Sequence, residues 1–341
     1  MLAHALVVAA GQSWPPFALV VGLLLIGAVA ADEDLFEALG ARLARARLGS
    51  SSLLVALLAL VAVVTAVLNL DTSVVFLTPV LVHAARERRL DERPFLYGSV
   101  FMANAGSLLL PGSNLTNLLV LRGDPQSGAR FAVGMLPAWI AACTITAAVL
   151  ALAFRLRDGE RIQHDPPQLR LGLGAAATLV AAVLVVALPN AALPVLAVGV
   201  VATALRRLRP RLDVRVLAPL FALTVGLGSV ARVWCGPAHL LGSSSPWAAA
   251  AIGAVASVLV NNLPAAVLFS AQPVAHRDAL LLGLDLGPNL AVSGSLSAVL
   301  WLQACRTVGA RASIAVYTRL GLLLVPLTLA VAVALLRATE I

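Results

Sequence analysis

Long apolar segments separated by short arginine-bearing loops restrict the fold of this chain more than any other feature. Hydrophobic residues make up 60% of the 341 residues and charged residues only 12%, whereas a soluble domain is about a quarter charged. Eight segments are long enough to cross a bilayer core of roughly 30 Å as helices. They are residues 14–31, 95–121, 131–154, 171–188, 190–205, 216–233, 279–304 and 314–336.

These segments predict an all-α polytopic membrane protein. No basic stretch precedes residues 14–31, so we expect them to form a retained helix and not a cleaved leader. Residues 1–10 are too short to span a bilayer by themselves.

Two further apolar runs are interrupted by polar residues and then resume for a short distance. Residues 51–68 break at "NLDT", 69–72, and residues 246–260 break at "NNLP", 261–264. Two short arms around a polar tip are typical of re-entrant hairpins, whose non-helical backbone is tolerated at membrane depth when protein or a wet cavity surrounds it. We therefore predict two hairpins with tips at these breaks.

Two spanning segments carry helix-breaking residues near their middle. Proline lacks a backbone N–H and clashes with the preceding turn, and glycine relaxes the restriction on φ. The sequence "PGSNLTNLL" predicts that the first of these helices ends near Leu110 and that Ser113 or Asn114 caps a new short helix. Gly287 and Pro288 should break the second helix, with Asn289 capping the next one.

The polar breaks occur in the same order in the two halves of the chain. "VLNLDTSVVF" aligns with "LVNNLPAAVL", and "LLPGSNLTNLL" aligns with "GLDLGPNLAVS", which places Asn114 on Asn289. Each half then contains a hairpin, a broken helix and a further helix, as in the inverted repeats of secondary transporters. The predicted units are 1–50 (N-terminal scaffold helix and loop), 51–154 (first repeat core), 155–233 (scaffold helices) and 234–341 (second repeat core).

The distribution of arginine predicts the topology. All 24 basic residues are arginine, and cytoplasmic loops carry the excess of basic residues in membrane proteins. If each hairpin enters and leaves on one side, the arginine-rich loops share the cytoplasmic side and both termini lie outside. These loops are residues 42–47, 86–93, 155–170, 206–215 and 306–311.

Two carboxylates at predicted membrane depth suggest ion coupling. Asp71 lies at the first hairpin tip, and Asp285 lies two residues before Gly287. A carboxylate at the bilayer centre costs at least about 2.5 kcal/mol on insertion scales, so both residues are candidates for carrying a coupling proton. Tyr317 and Arg319, near the start of the last helix, are interpreted as interfacial anchors.

Several classes of activity have no supporting motif. The chain contains neither a G-x-x-x-x-G-K-[ST] loop for ATP nor an H-E-x-x-H zinc site. "AVSG" lacks the first glycine of a G-x-S-x-G serine nucleophile site. Cys143, Cys235 and Cys305 have no metal-ligand spacing. We therefore expect no enzyme activity, no metal and no cofactor. No arginine lies in the tips or breaks, which favours a neutral or weakly charged solute.

The motifs "NLDTSVVFLTP", "LLLPGSNLTNLL", "NNLPA" and "GPNLAVSGSLSAVLWL" resemble the arsenical pump membrane protein family of the ion transporter superfamily. The resemblance implies an inverted-repeat fold, often dimeric, in the plasma membrane of a bacterium. It implies exchange of arsenite or antimonite for protons, sometimes with a soluble ATPase partner. The implied solute and ion site is Asn69, Asp71, Thr72, Ser113, Asn114, Thr116, Asn117, Asn261, Asn262, Asn289, Ser293 and Ser295.

Two alternatives remain open at this point. "SNLT" also resembles the signatures of sodium-coupled relatives in the same superfamily, which would make the chain a sodium- or proton-coupled carrier of a carboxylate or an inorganic anion. A passive metalloid channel is the other alternative. The chain also departs from the family pattern, because three spanning helices precede the second hairpin and only one precedes the first.

Overall fold

The computed structural model describes residues 2–121, 128–156, 171–210, 214–234, 236–271 and 274–339, and all regular structure within these ranges is helical. Cys235 and parts of the predicted cytoplasmic loops, 157–170 and 211–213, lie outside them. The helices of the first half are α1 (Leu2–Asp32), α2 (Leu35–Arg45), α3 (Ser50–Val67), α4 (Leu70–Glu87), α5 (Arg93–Gly106), α6 (Leu115–Leu121) and α7 (Gly128–Phe154).

The second half contains more helices before its polar tip than the first half does. Its helices are α8 (Leu173–Ala187), α9 (Ala192–Leu205), α10 (Val214–Val233), α11 (Gly236–Gly242), α12 (Pro246–Val260), α13 (Asn262–Phe269), α14 (Arg277–Leu286), α15 (Leu296–Thr307) and α16 (Ile314–Thr339). The all-α class predicted from the sequence is confirmed.

Four helices are long and apolar enough to cross a membrane within the described residues. They are His4–Asp32, Ser50–Val67, Gly128–Phe154 and Ile314–Ala338. Several of the other predicted spans form apolar helices that are shorter, such as α8 and α9. Many large apolar side chains on these helices are exposed, as a lipid-facing surface requires. These helices support a multi-pass membrane protein.

The first helix begins twelve residues earlier than predicted, so the start at residue 14 was wrong. Ala5, Ala9 and Ser13 recur once per turn and are all buried, which gives the first turns an interior face. The Ser13 hydroxyl donates to the Ala9 carbonyl (2.7 Å) just before the prolines at 15 and 16. Buried contacts on this face therefore stabilise the helix on the N-terminal side of the two prolines.

The arm after the first polar tip is also longer than predicted. The expected short arm is α4, which has 18 residues and continues to Glu87. Ala84 and Ala85 remain buried near its end, and the buried Arg88 guanidinium donates to the Leu48 carbonyl (2.9 Å). The arm after the second tip, α13, has only eight residues and matches the prediction.

Glycines allow the arm before each tip to approach the first part of each broken helix. α3 packs along α5, where a Cβ at Gly106 would collide with the Ala62 backbone. α12 packs along α14, where a Cβ at Gly287 would collide with Ala254. Small residues permit this close backbone approach between membrane helices.

The two halves of the chain also pack against each other. α4 lies along α15, and α13 lies along α6, so the helix after each tip contacts the helix after the opposite break. The next helix along the chain in each half, α7 in the first and α16 in the second, also packs against its counterpart. This arrangement brings both tips and both breaks into the centre of the molecule.

Candidate functional site

The first break begins earlier than the sequence predicted. α5 ends at Gly106 and not near Leu110. Leu110 precedes a proline and is extended (φ −124°, ψ 151°), as the clash with the proline ring requires. The 3₁₀ turn Pro111–Ser113 then leads to Asn114, which is extended as well.

Polar side chains bind the backbone groups that this break frees. The Ser113 hydroxyl donates to the carbonyls of Ser107 and Leu110 (2.5 Å for Leu110). The Asn117 amide donates to the same two carbonyls, at 2.8 Å and 3.3 Å. Asn114 Oδ1 accepts from the Thr116 N–H (3.1 Å), so Asn114 caps α6 as predicted.

The second break has a different arrangement from the one predicted. α14 ends at Leu286, so Gly287 and Pro288 break the α-helix as predicted. The chain then forms a 3₁₀ turn from Gly287 to Leu290, since proline fits the first position of a new turn, and it becomes extended at Ala291. Asn289 lies inside the 3₁₀ turn and caps no helix. Ser295 caps α15 instead, since its Oγ accepts from the Ala298 N–H (3.3 Å).

Two hydrogen bonds link the two broken helices at the centre. Asn114 Nδ2 donates to Asp285 Oδ1 (2.9 Å), and Asn104 Nδ2 donates to Asn289 Oδ1 (2.6 Å). All four side chains are buried, and Asp285 and Asn104 have no exposed surface. Each bond joins one residue of the first half to one residue of the second half.

The two tips have similar local chemistry. Asn69 Oδ1 accepts from the Thr72 N–H (2.7 Å) and caps α4, and Asn261 Oδ1 accepts from the Leu263 N–H (3.3 Å) at the start of α13. Asn261 also donates to the Ser293 carbonyl (3.1 Å), which joins the second tip to the second break.

Asp71 follows the first cap and is half-buried. Its carboxylate has no hydrogen bond or ion pair to the residues that the structure describes. It is therefore available to a solute or a proton.

Polar atoms without partners concentrate at the tips and breaks. Four are oxygens: three amide oxygens, which only accept hydrogen bonds, and one carboxylate oxygen, which only accepts while it is ionised. One is an amide nitrogen, which donates, and three are hydroxyls, which can donate or accept. Such groups are costly when buried and unpaired, so they mark places where a ligand or water completes the bonding. Within the described residues they are Asn104 Oδ1, Asn117 Oδ1, Asn262 Oδ1, Asp285 Oδ2, Asn69 Nδ2, Thr65 Oγ1, Thr72 Oγ1 and Thr116 Oγ1.

Nearly all of the predicted site residues lie at these tips and breaks. Nine of them are buried: Asn69, Thr72, Ser113, Asn114, Thr116, Asn117, Asn262, Asn289 and Ser295. Asp71 and Asn261 are half-buried, and the Ser293 side chain is exposed, so that Ser293 contributes its carbonyl to the centre through Asn261.

Three central residues were missed or misinterpreted. Asn104 was missed, although it stands two residues before a glycine, as Asp285 does, in an otherwise apolar stretch. Trp139 was missed too, and its indole N–H donates to the Gly106 carbonyl (3.1 Å). Tyr317 was wrongly interpreted as an interfacial anchor. It is fully buried, and its hydroxyl donates to the Pro288 carbonyl (3.0 Å).

A family model described as citrate transporter, CitMHS, matches residues 1–287. The chain belongs to the CitMHS family. The assignment to the arsenical pump family is finer than this match and remains a prediction. With its apolar helices, this CitMHS protein is an integral membrane protein, and its family is related to the ion transporter superfamily.

This CitMHS protein is similar to a curated protein in sequence and to a solved structure in fold. The silicon efflux transporter LSI3 of Oryza sativa subsp. japonica is 30% identical over 152 residues, which cover 44% of this chain and 31% of that relative. The chain thus spans about a third of the relative's length. The crystal structure of the YdaH transporter of Alcanivorax borkumensis has the same fold with 17% identity and a TM-score of 0.56, and the match covers 97% of this chain and 86% of that one.

Proposed function

We propose that this CitMHS protein is a secondary active transporter that exports arsenite or antimonite in exchange for protons. Trivalent arsenic and antimony occur near neutral pH as uncharged hydroxides. The protein would act as a carrier and not as an enzyme, in the plasma membrane of a bacterium. Its partners would be the solute, a coupling proton and lipid. A homodimer and a soluble ATPase partner remain predictions.

The excess of unpaired acceptors at the centre carries this proposal. Asn104, Asn117, Asn262 and Asp285 each present a buried oxygen without a donor. The orientation of Asn117 is fixed, because its amide group donates to two backbone carbonyls. A hydroxide brings O–H donors to such oxygens, whereas a carboxylate brings only further acceptors. Unpaired buried acceptors therefore favour a solute rich in hydroxyl groups.

The similarity to a silicon efflux transporter supports the same class of solute. Silicon, like trivalent arsenic, is carried in neutral water as an uncharged hydroxide. No lysine occurs in the chain, and no arginine lies among the tips and breaks. A solute with several negative charges would therefore lack a cationic side chain to pair with.

The packing supports an inverted repeat with two re-entrant hairpins. Gly106 and Gly287 end matched helical stretches, and each lies against the arm before a tip. Asn114 and Ser295 then cap matched helices after the breaks, and the two pairs are separated by the same number of residues. In this register Ser295, and not Asn289, corresponds to Asn114. The proposed topology has both termini outside, which the arginine-rich loops favour.

The proposed transport site comprises the predicted polar residues at the tips and breaks. The tip and break amides and hydroxyls would bind the solute, and Asp71 and Asp285 would carry the proton in sequence. Asp71 has no partner among the described residues and is partly accessible, whereas Asp285 lies at the centre. Proton movement between a tip and the centre would then couple to opening on either side of the membrane.

The alternative is a sodium- or proton-coupled carrier of citrate or another carboxylate. The description of the family supports it. The packing of α4 and α15 supports it too. The two helices lie side by side, and their C-terminal ends are adjacent, because Arg86 donates to the Val308 carbonyl (2.7 Å). Their N-termini therefore point in the same direction. Helix N-termini stabilise negative charge. The two candidates differ in solute charge and in coupling ion.

Uptake into everted membrane vesicles separates the two candidates. Vesicles that contain the protein would receive arsenite or citrate under an imposed proton or sodium gradient. Proton-driven arsenite accumulation that a protonophore abolishes would support the proposal. Sodium-driven citrate accumulation without arsenite movement would replace it with the carboxylate carrier. Arsenite entry that ignores every gradient would indicate a passive channel.

A further inference from the structure

Asn104 and Asp285 occupy matched positions in the two broken helices. Each lies two residues before the glycine that packs against a hairpin arm, Gly106 for Asn104 and Gly287 for Asp285. A Cβ at Gly106 would contact Thr65 on α3, and a Cβ at Gly287 would contact Ser257 on α12. The side chains of Asn104 and Asp285 therefore occupy the last turn before each break.

Each of the two side chains also bonds to the opposite half of the chain. Asn104 donates to Asn289 of the second half, and Asp285 accepts from Asn114 of the first half. Both side chains have no exposed surface. Each retains one oxygen without a donor, Oδ1 of Asn104 and Oδ2 of Asp285. An amide on one helix thus takes the place that a carboxylate takes on the other.

Few charged groups surround this pair. The elements packed on α14 are α5, α6, α12, α13, α16 and the turn Gly287–Leu290, and α6, α12, α13 and the turn contain no charged residue. On α5, Arg93 is paired with Asp91 at the start of the helix. On α14 itself, Arg277 and Asp278 are paired with each other (3.2 Å).

The remaining ionisable groups on these elements have other partners or face outward. The Tyr97 hydroxyl contacts Ser313, and the Tyr317 hydroxyl contacts Pro288. Arg319 and Arg337 are exposed. Asp285 is therefore the one buried carboxylate on α14 and on the elements packed against it, among the described residues.

We infer that Asn104 and Asp285 form a single acceptor pair that binds hydroxyl groups of the carried solute from both repeats. This inference rests on the proposed function and adds Asn104 to the site. The unpaired Asn104 oxygen accepts one O–H of the hydroxide, and the Asp285 oxygen accepts another while it is ionised. A proton that then bonds to this Asp285 oxygen removes the acceptor and favours release of the solute. Proton coupling should therefore require one carboxylate in the pair, on either of the two helices.

Exchange of the two side chains tests this inference. We would compare wild type, Asp285→Asn, and the double variant Asn104→Asp with Asp285→Asn in everted vesicles. Asp285→Asn should abolish arsenite accumulation under a proton gradient, because an amide cannot take up the coupling proton. The double variant restores a carboxylate to the pair from the opposite repeat. It should recover the gradient-driven accumulation that Asp285→Asn lacks, because a carboxylate can again take up the coupling proton.

A matched control places a carboxylate elsewhere on α5. The double variant Ser99→Asp with Asp285→Asn carries the same charge as the exchange variant, at a buried position that bonds Thr78 and lies away from the break. It should show no recovery. Size-exclusion profiles of detergent-solubilised protein would confirm that each variant is folded, and Asn104→Gln would replace the exchange variant if that variant were unfolded. Asn104→Gln keeps the amide but displaces its oxygen, and it should weaken arsenite exchange about tenfold.

The outcomes distinguish the pair from the proposed function. A wild type that moves arsenite, with a folded exchange variant no better than Asp285→Asn, would overturn the pair alone. Normal arsenite exchange by Asn104→Gln would do the same. A wild type that moves citrate and not arsenite would overturn both the proposed solute and the hydroxyl-binding role of the pair.

Discussion

Asn114 and Asp285, which belong to different halves of the chain, are joined by a 2.9 Å hydrogen bond at the centre of the molecule. The Asn114 side chain also caps α6 through its Oδ1. One amide therefore fixes the break in its own helix and binds the carboxylate of the other. The conformation of the first break and the environment of Asp285 depend on each other through this side chain.

Asn114→Ala should abolish transport and leave membrane insertion intact. The change removes the donor to Asp285 and the cap of α6, and an unpaired buried polar group costs about 1–3 kcal/mol. Arsenite accumulation in vesicles would be measured at matched protein content. Asn190→Ala is the control, because Asn190 is exposed and lies between α8 and α9. Transport by Asn114→Ala at the rate of the control would remove the first break from the site.

The sequence was sufficient to predict where polar residues interrupt the apolar helices, but not the bounds of those helices. Proline and glycine mark the breaks at 111–112 and 287–288, and asparagine caps follow from local chemistry alone. The conformation of the chain after the second break could not be derived in this way. Pro288 can either end a helix or begin a 3₁₀ turn, and the contact of Gly287 with Ala254 belongs to tertiary packing. The same limit applies to Asn104, whose partner Asn289 is distant in the chain.

Asp71→Asn should separate binding from coupling. The amide has nearly the same shape, so labelled arsenite should still exchange across the membrane in the absence of a gradient. It cannot carry a proton, so accumulation should no longer respond to an imposed pH gradient. The ratio of gradient-driven accumulation to exchange would be measured over a series of gradients. An unchanged ratio would exclude Asp71 from coupling.

Gly106→Ala should destabilise the protein, because its Cβ would collide with the Ala62 backbone on α3. Such overpacking costs about 1–3 kcal/mol. Thermal unfolding of the detergent-solubilised protein would show a lower midpoint. Gly134→Ala is the matched control on α7, where a Cβ meets nothing within 4 Å. The control should be neutral or stabilising by up to about 1 kcal/mol, as alanine favours a helix. Equal midpoints for the two variants would contradict close packing of α3 on α5.

Tyr317→Phe should slow transport without unfolding the protein. The change leaves the Pro288 carbonyl without its donor, at a cost of about 1 kcal/mol, and loosens the turn that contains Asn289. The aromatic packing of the ring on Phe101 and Trp301 remains. Tyr97→Phe is the control, since its hydroxyl contacts Ser313 outside the breaks. A larger loss of arsenite exchange in Tyr97→Phe than in Tyr317→Phe would show that the Pro288 contact does not position the site.

The central claim is exchange of a neutral hydroxide for protons, and reciprocal proton movement tests it most directly. Purified protein would be reconstituted into liposomes that contain arsenite and a pH-sensitive dye, then diluted into arsenite-free buffer without any imposed ion gradient. We predict that arsenite leaving the liposomes draws protons in and acidifies the interior, and that Asp285→Asn shows no acidification. Unchanged internal pH with arsenite, together with sodium-dependent movement of citrate in the same preparation, would contradict the claim.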